Sequence, residues 1–88
     1  MQHVRILGTS AAAPTGTGTA STVEGSHFVM IANTTTAVHE VTIQTAASGT
    51  TIGSIALLGS ERMVIKKDDT DVIFAANAGV YLTPVYPN

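Results

Sequence analysis

The chain is 88 residues long, carries a net charge of −2 and has only 11% charged residues, so it holds one core and lacks the positive charge that counterion-release binding to nucleic acid needs. It contains no cysteine, which excludes a disulfide framework, a thiolate zinc site and a cysteine nucleophile. Apolar runs are far shorter than the roughly 20 residues that cross a bilayer. The "ILG" after Arg5 is likewise too short an apolar region for a secretory signal, and the expectation is a soluble protein with no nucleic-acid or membrane partner.

In chain order, "HVRIL" reads as a first strand and leads into "TSAAAPTGTGTAST", Thr9 to Thr22, a run of small residues without charge or large apolar side chains. Six further segments follow from His27 onward: "HFVMIAN", "VHEVTIQT", "TIGSIALL", "RMVIKK", "DVIFA" and "GVYLTPVY". Threonine, valine and isoleucine favour extended chain in all of them. Turn clusters such as "NTTTA", "AASGT", "DDTD" and "NAG" separate the segments at a spacing that suits antiparallel hairpins.

Alternation assigns faces within the strands. Val41 and Ile43 oppose Glu40, Thr42 and Gln44, and Met63 and Ile65 oppose Arg62, Val64 and Lys66, as in strands with one wet face. "FVMIA" is apolar on both faces, which marks either a central strand covered on both sides or a strand with one face against another chain. Pro84 removes a ladder donor and predicts that the last strand lies at an edge or carries a bulge. The fold class expected is all-β, a small antiparallel β-sandwich or flattened barrel of about six to seven strands. Residues 1–26 form an N-terminal strand and an extended arm or loop, and residues 27–88 form the sandwich domain. Strand count does not choose between jelly-roll and immunoglobulin-like topology.

The candidate chemistry is thin. "GTGTAST" resembles a phosphate-cradling loop, but no lysine precedes Lys66, Ser21 stands where a third glycine or alanine belongs, and a strand follows rather than a helix. His3, His27 and His39 have no second histidine at chelating spacing. "KKDDTD" brings three carboxylates into one turn but lacks the glycine and downstream glutamate of a helical calcium loop, so a solvated hairpin turn is expected. Ser54 or Ser60 with His39 and Glu61 has no nucleophile-elbow motif to support a hydrolase. Asn33 in "NTT" matches a glycosylation acceptor, and a turn is the simpler reading. The expectation is a non-enzymatic protein with no catalytic residue, no cofactor and no metal.

Residues 27–86 are similar to the small β-rich virion proteins of tailed bacteriophages. The features that carry the resemblance are an apolar strand ending in Asn33, the alternating strand from Val41 to Gln44, "TIGS", a lysine-bearing strand, and "TD" opening a last hairpin. The resemblance implies a capsid decoration or cement protein on the exterior of a virion. Such a protein would be made in the host cytoplasm and would bridge major capsid subunits as a trimer or dimer. Implied contact residues are Thr9, Pro14, Thr15, Thr17, Thr19 and Thr22 of the arm, with Phe28, Met30, Pro84 and Tyr86. A tail, neck or fibre component and a small carbohydrate- or ligand-binding sandwich stand as alternatives.

Overall fold

A computed structural model describes residues 4–87. Eight strands form in chain order: β1 (Val4–Ile6), β2 (Ala11–Ala12), β3 (Phe28–Asn33), β4 (His39–Gln44), β5 (Thr51–Leu57), β6 (Arg62–Lys66), β7 (Val72–Ala75) and β8 (Val80–Pro87). They make two antiparallel sheets. The larger runs β1-β8-β3-β6, with β2 also on β8, and the smaller runs β5-β4-β7. The fold is all-β. Met30, Thr83 and Val64 share one face by register, while Val29, Ile31, Leu82 and Met63 share the other.

The inner faces of the two sheets supply the core. Val29, Ile31, Val80 and Leu82 from the larger sheet meet Val41, Leu57, Ile73 and Ala75 from the smaller, with Ile43, Met63 and Ile65 packed against them. Burying an aliphatic side chain of this size contributes about 1.5–3 kcal/mol. The alternation in "HEVTIQ" and "RMVIK" therefore places Val41, Ile43, Met63 and Ile65 inward as expected. Thr42 and Gln44, expected on a wet face, are buried instead. Gln44 is covered because Thr17 Oγ1 donates to its Oε1 and its own Nε2 donates to Thr51 Oγ1 at 3.2 Å.

The turn spacing predicts hairpins throughout, but only β4 and β5 are sequential neighbours in one sheet. The other connections after β3 cross between the sheets, because each single-sided strand buries its apolar face against the opposite layer. "KKDDTD" is one of these crossings, from β6 to β7, and not a solvated hairpin turn. Lys67 and Asp71 within it are buried.

A second correction concerns β8, which lies inside the larger sheet between β3 and the β1/β2 edge. Pro84 is tolerated there because its missing N–H points away from β3, into the gap where β1 ends and β2 has not begun. Its carbonyl accepts from Leu7 N at 2.9 Å in that gap. The rule that proline avoids interior ladder positions holds for the donor, and the neighbouring break satisfies it.

The small-residue segment between β1 and β3 is held by its own domain. Ala13 N donates to Val80 O at 2.8 Å in one sheet, and the carbonyl of the next residue, Pro14, accepts from Ala75 N at 2.9 Å in the other. A 3-10 turn at Thr17–Thr19 then reaches the β4–β5 hairpin, where Ser48 N donates to Thr17 O at 3.0 Å. Ser21 returns to β7 and exchanges both backbone bonds with Ile73, at 2.7 and 3.0 Å. The strap ends in a left-handed turn with φ of 52° at Val23, 59° at Glu24 and 68° at Gly25. A β-branched residue in this region is strained by about 1–3 kcal/mol; Val23 offsets the strain by burying its side chain in the core.

Asn33 fastens the first crossing. Its Nδ2 donates to Ala37 O at 2.7 Å and lies 3.1 Å from Leu57 O and 3.2 Å from Leu58 O, while Oδ1 accepts from Thr35 N at 3.0 Å and Thr35 Oγ1 at 2.7 Å. One side chain thus joins the end of β3, the loop after it and the end of β5.

Two outcomes follow. Asn33→Ala lowers unfolding free energy by about 2–4 kcal/mol in urea titrations, since several buried groups lose their partner together; Asn33→Asp fails to restore it, because a carboxylate cannot donate. Replacing residues 9–22 with a glycine–serine segment of equal length lowers the thermal midpoint of the isolated protein. An unchanged midpoint would show that the strap is dispensable to the fold.

Candidate functional site

The outer face of the larger sheet carries an apolar concavity. Val4 and Ile6 on β1, Met30 on β3, Val64 on β6, and Thr83 and Val85 on β8 line a concavity of about 570 Å³. The pairing register puts them there: Ile6 lies opposite Val85, and Met30 lies between Thr83 and Val64. Arg62 stands at the rim. Ile6 is 71% exposed, and Leu7 beside it is also exposed, so this corner presents large apolar side chains to solvent.

The contact residues expected from the sequence are divided between this face and the strap. Met30 lines the concavity. Phe28 is half-buried at the start of β3 and meets Tyr86 edge to face, with ring centroids 5.8 Å apart and planes at 89°. Pro84 is buried in β8. Thr9, Thr15, Thr17 and Thr19 are exposed on the strap, Pro14 and Thr22 half-buried. Several of the strap hydroxyls are engaged locally: Thr19 Oγ1 donates to Gly16 O at 3.1 Å, and Thr22 Oγ1 accepts from Gly25 N at 3.2 Å. The structure therefore groups Met30 with the sheet face and separates it from the threonines of the strap.

The groups considered for chemistry fall on different elements. His27 is exposed just before β3 and His39 opens β4, while His3 lies outside the described residues. Ser54 Oγ donates to Glu40 Oε2 at 3.3 Å, and Glu61 Oε1 accepts from Leu58 N at 2.9 Å, so the serine and Glu61 each have a partner other than His39. No cluster of three or more His, Cys, Asp or Glu side chains among the described residues is placed to hold a metal ion. Asn33 is 2% exposed with its amide nitrogen bonded inside the fold, so the "NTT" acceptor is closed in the folded chain.

Lys67 is an ionisable group that sequence reasoning did not single out. It is 5% exposed, its Nζ donates to Asp68 O at 3.1 Å, and Lys67 N donates to His27 O at 2.8 Å. Burial holds its pKa below the ordinary 10.5, opposed in part by the charges of Asp71, Asp69 and Asp68. Asp71 Oδ2 in turn accepts from Asp68 N at 3.1 Å, which shapes the crossing around the ammonium. The adjacent Lys66 is exposed; continuing the alternation of Met63 and Ile65 by one step puts Lys67, and not Lys66, on the inward face.

Comparison with known proteins finds no matching family model, no matching curated protein and no matching solved structure.

Lys67 generates a pH prediction. Between its lowered folded pKa and the unfolded value near 10.5, the unfolded chain binds more protons, so Lys67 makes stability rise with pH across that window. The difference in urea midpoint between the wild type and Lys67→Met should shift in favour of the wild type as pH rises toward the unfolded value. A difference that is constant up to pH 11, roughly above the unfolded pKa, would contradict the burial effect.

Proposed function

We propose that the protein is a virion structural component of the decoration or cement class, which binds the outside of a phage capsid and bridges major capsid subunits. The observation that carries the binding role is the apolar concavity on the outer face of the larger sheet, with Ile6 of its lining largely exposed. Contiguous apolar surface of this kind on a small domain is a feature of surfaces that meet other proteins. The capsid assignment rests on the resemblance of residues 27–86 to small phage virion proteins.

The mechanism is additive burial. Each copy seats an apolar sheet face on its partner, and repetition over a symmetric shell multiplies a modest contact into a large collective effect. Low charge density in the chain keeps the desolvation cost of that contact small. The T-shaped Phe28–Tyr86 pair favours this reading over a glycan-binding module, since rings at 89° do not offer a coplanar stacking platform.

The test is binding to shells that lack the protein. Saturable binding with increased resistance of the shell to heat or osmotic shock is expected, and Met30→Glu should weaken it at least tenfold while leaving the β circular dichroism in place. No saturable binding, or binding that leaves shell resistance unchanged, would sink the cement role.

A further inference from the structure

We propose that β5 pairs with β5 of a second copy, antiparallel about a two-fold axis at Ser54, to join two three-stranded sheets into one of six strands. The proposal stands apart from the virion reading, because it concerns the protein alone.

In the larger sheet one edge is formed by the short strands β1, which carries Arg5, and β2, and the opposite edge, β6, begins with Arg62 and ends with Lys66. In the smaller sheet, β7 is covered by the strap through Ser21 and Pro14. Charges and covering segments are the usual protection of sheet edges. β5 has neither: from Thr50 to Ser60 there is no charged residue and no proline. Six of its seven residues are exposed, with Ile52 at 56% and Ile55 at 39%. Among the described residues β5 is thus the longest edge with neither charge nor cover, and pairing it with its own copy about a two-fold closes the assembly at two, since the far edge of the smaller sheet is already occupied.

Hydrogen-bond phase fixes the register. Glu40 O accepts from Ala76 N on the β7 side, so Glu40 and Thr42 turn their backbone groups toward β7, and Val41 and Ile43 turn theirs toward β5. Their partners Ile55 and Gly53 are consequently bonded to β4, and Ser54 and Ala56 aim their N–H and C=O groups outward. A two-fold at Ser54 makes Ser54 a hydrogen-bonded pair with its own copy.

Side chains agree with that register. Ile55 of one copy lies opposite Gly53 of the other, and a Cβ at Gly53 would meet nothing within 4 Å. Gly53 borders a concavity of about 260 Å³ between the sheets, where Ile43 and Ile65 are only half-buried. The isoleucine of each copy thus covers apolar surface left open by the glycine of the other. Glu40 and its symmetry mate stand on strands three spacings apart, about 14 Å, which keeps their repulsion small. A paired edge of seven residues is about 24 Å long. It buries less than the roughly 1,200 Å² of a standard interface, so the dimer exchanges readily with monomer.

Because the chain has no cysteine, single-cysteine variants give a direct readout. Ser54→Cys places two sulfurs on residues about 5.5 Å apart between Cα atoms, within disulfide range, whereas Thr50→Cys places its pair about 27 Å apart. Expected results are a reversible monomer–dimer equilibrium in sedimentation from micromolar to millimolar protein and rapid disulfide dimerisation of Ser54→Cys but not Thr50→Cys. Ile52→Lys should raise the dissociation constant at least tenfold. A wild type that stays monomeric, oligomers that grow without limit, equal cross-linking of the two cysteine variants, or Ser54→Cys that cross-links only to shell protein would each overturn the proposal. The cysteine pair remains decisive if Ile52→Lys does not fold.

Discussion

Two successive residues, Ala13 and Pro14, hold the sandwich together along one side. The amide of the first bonds β8 and the carbonyl of the second bonds β7, so a single peptide segment belongs to both sheets. Much else depends on that joint. It satisfies the outward amide of Ala75 and leads the strap along the edge of the smaller sheet, where Ser21 satisfies the amide of Ile73 and Val23 enters the core. By closing one side of the sandwich it leaves the other side, between β5 and β6, as the open one.

The same arrangement accounts for how so small a chain with few aromatic residues sustains two layers. The inner faces are aliphatic, and six of their valine, leucine and isoleucine side chains, among them Ile31, Leu57 and Ile73, are essentially removed from water. Most connections cross between layers, which ties the sheets covalently at both ends. Asn33 and Lys67 each sit at a crossing, one with its amide bonded to three carbonyls, the other with its ammonium bonded to one beside three aspartates. Polar groups thus fix where the chain changes layer, and apolar groups fix how the layers meet. The outside carries a concave apolar face on one sheet and an uncharged edge, β5, on the other.

The strands were legible in the sequence because alternation survives wherever one face is buried, as in "HEVTIQ" and "RMVIK". Their sheet membership was not, because "DDTD" or "NAG" has the same local chemistry whether the chain reverses within a sheet or crosses to the other. β2 and the strap carry no periodic signal, since Ala11, Ala12 and Ala13 are placed by backbone bonds and not by side-chain burial. Pro84 was correctly recognised as lacking a donor, but the break between β1 and β2 that makes an interior position acceptable is a long-range feature. For the surface, the two-faced apolar pattern of "FVMIA" pointed to Met30. The bareness of β5 emerges only once the other edges are seen to be covered.

The claim on which this account turns is that the strap is an integral part of the sandwich and not an appendage. Residue-resolved amide hydrogen exchange of the isolated protein measures it directly, because the donors concerned bond only if the strap is docked. The amides of Ala13, Ser21, Ile73 and Ala75 should be protected to the same degree as those of β3 and β4. Exchange of these four amides at the rate of an open loop, with β3 and β4 still protected, would contradict it.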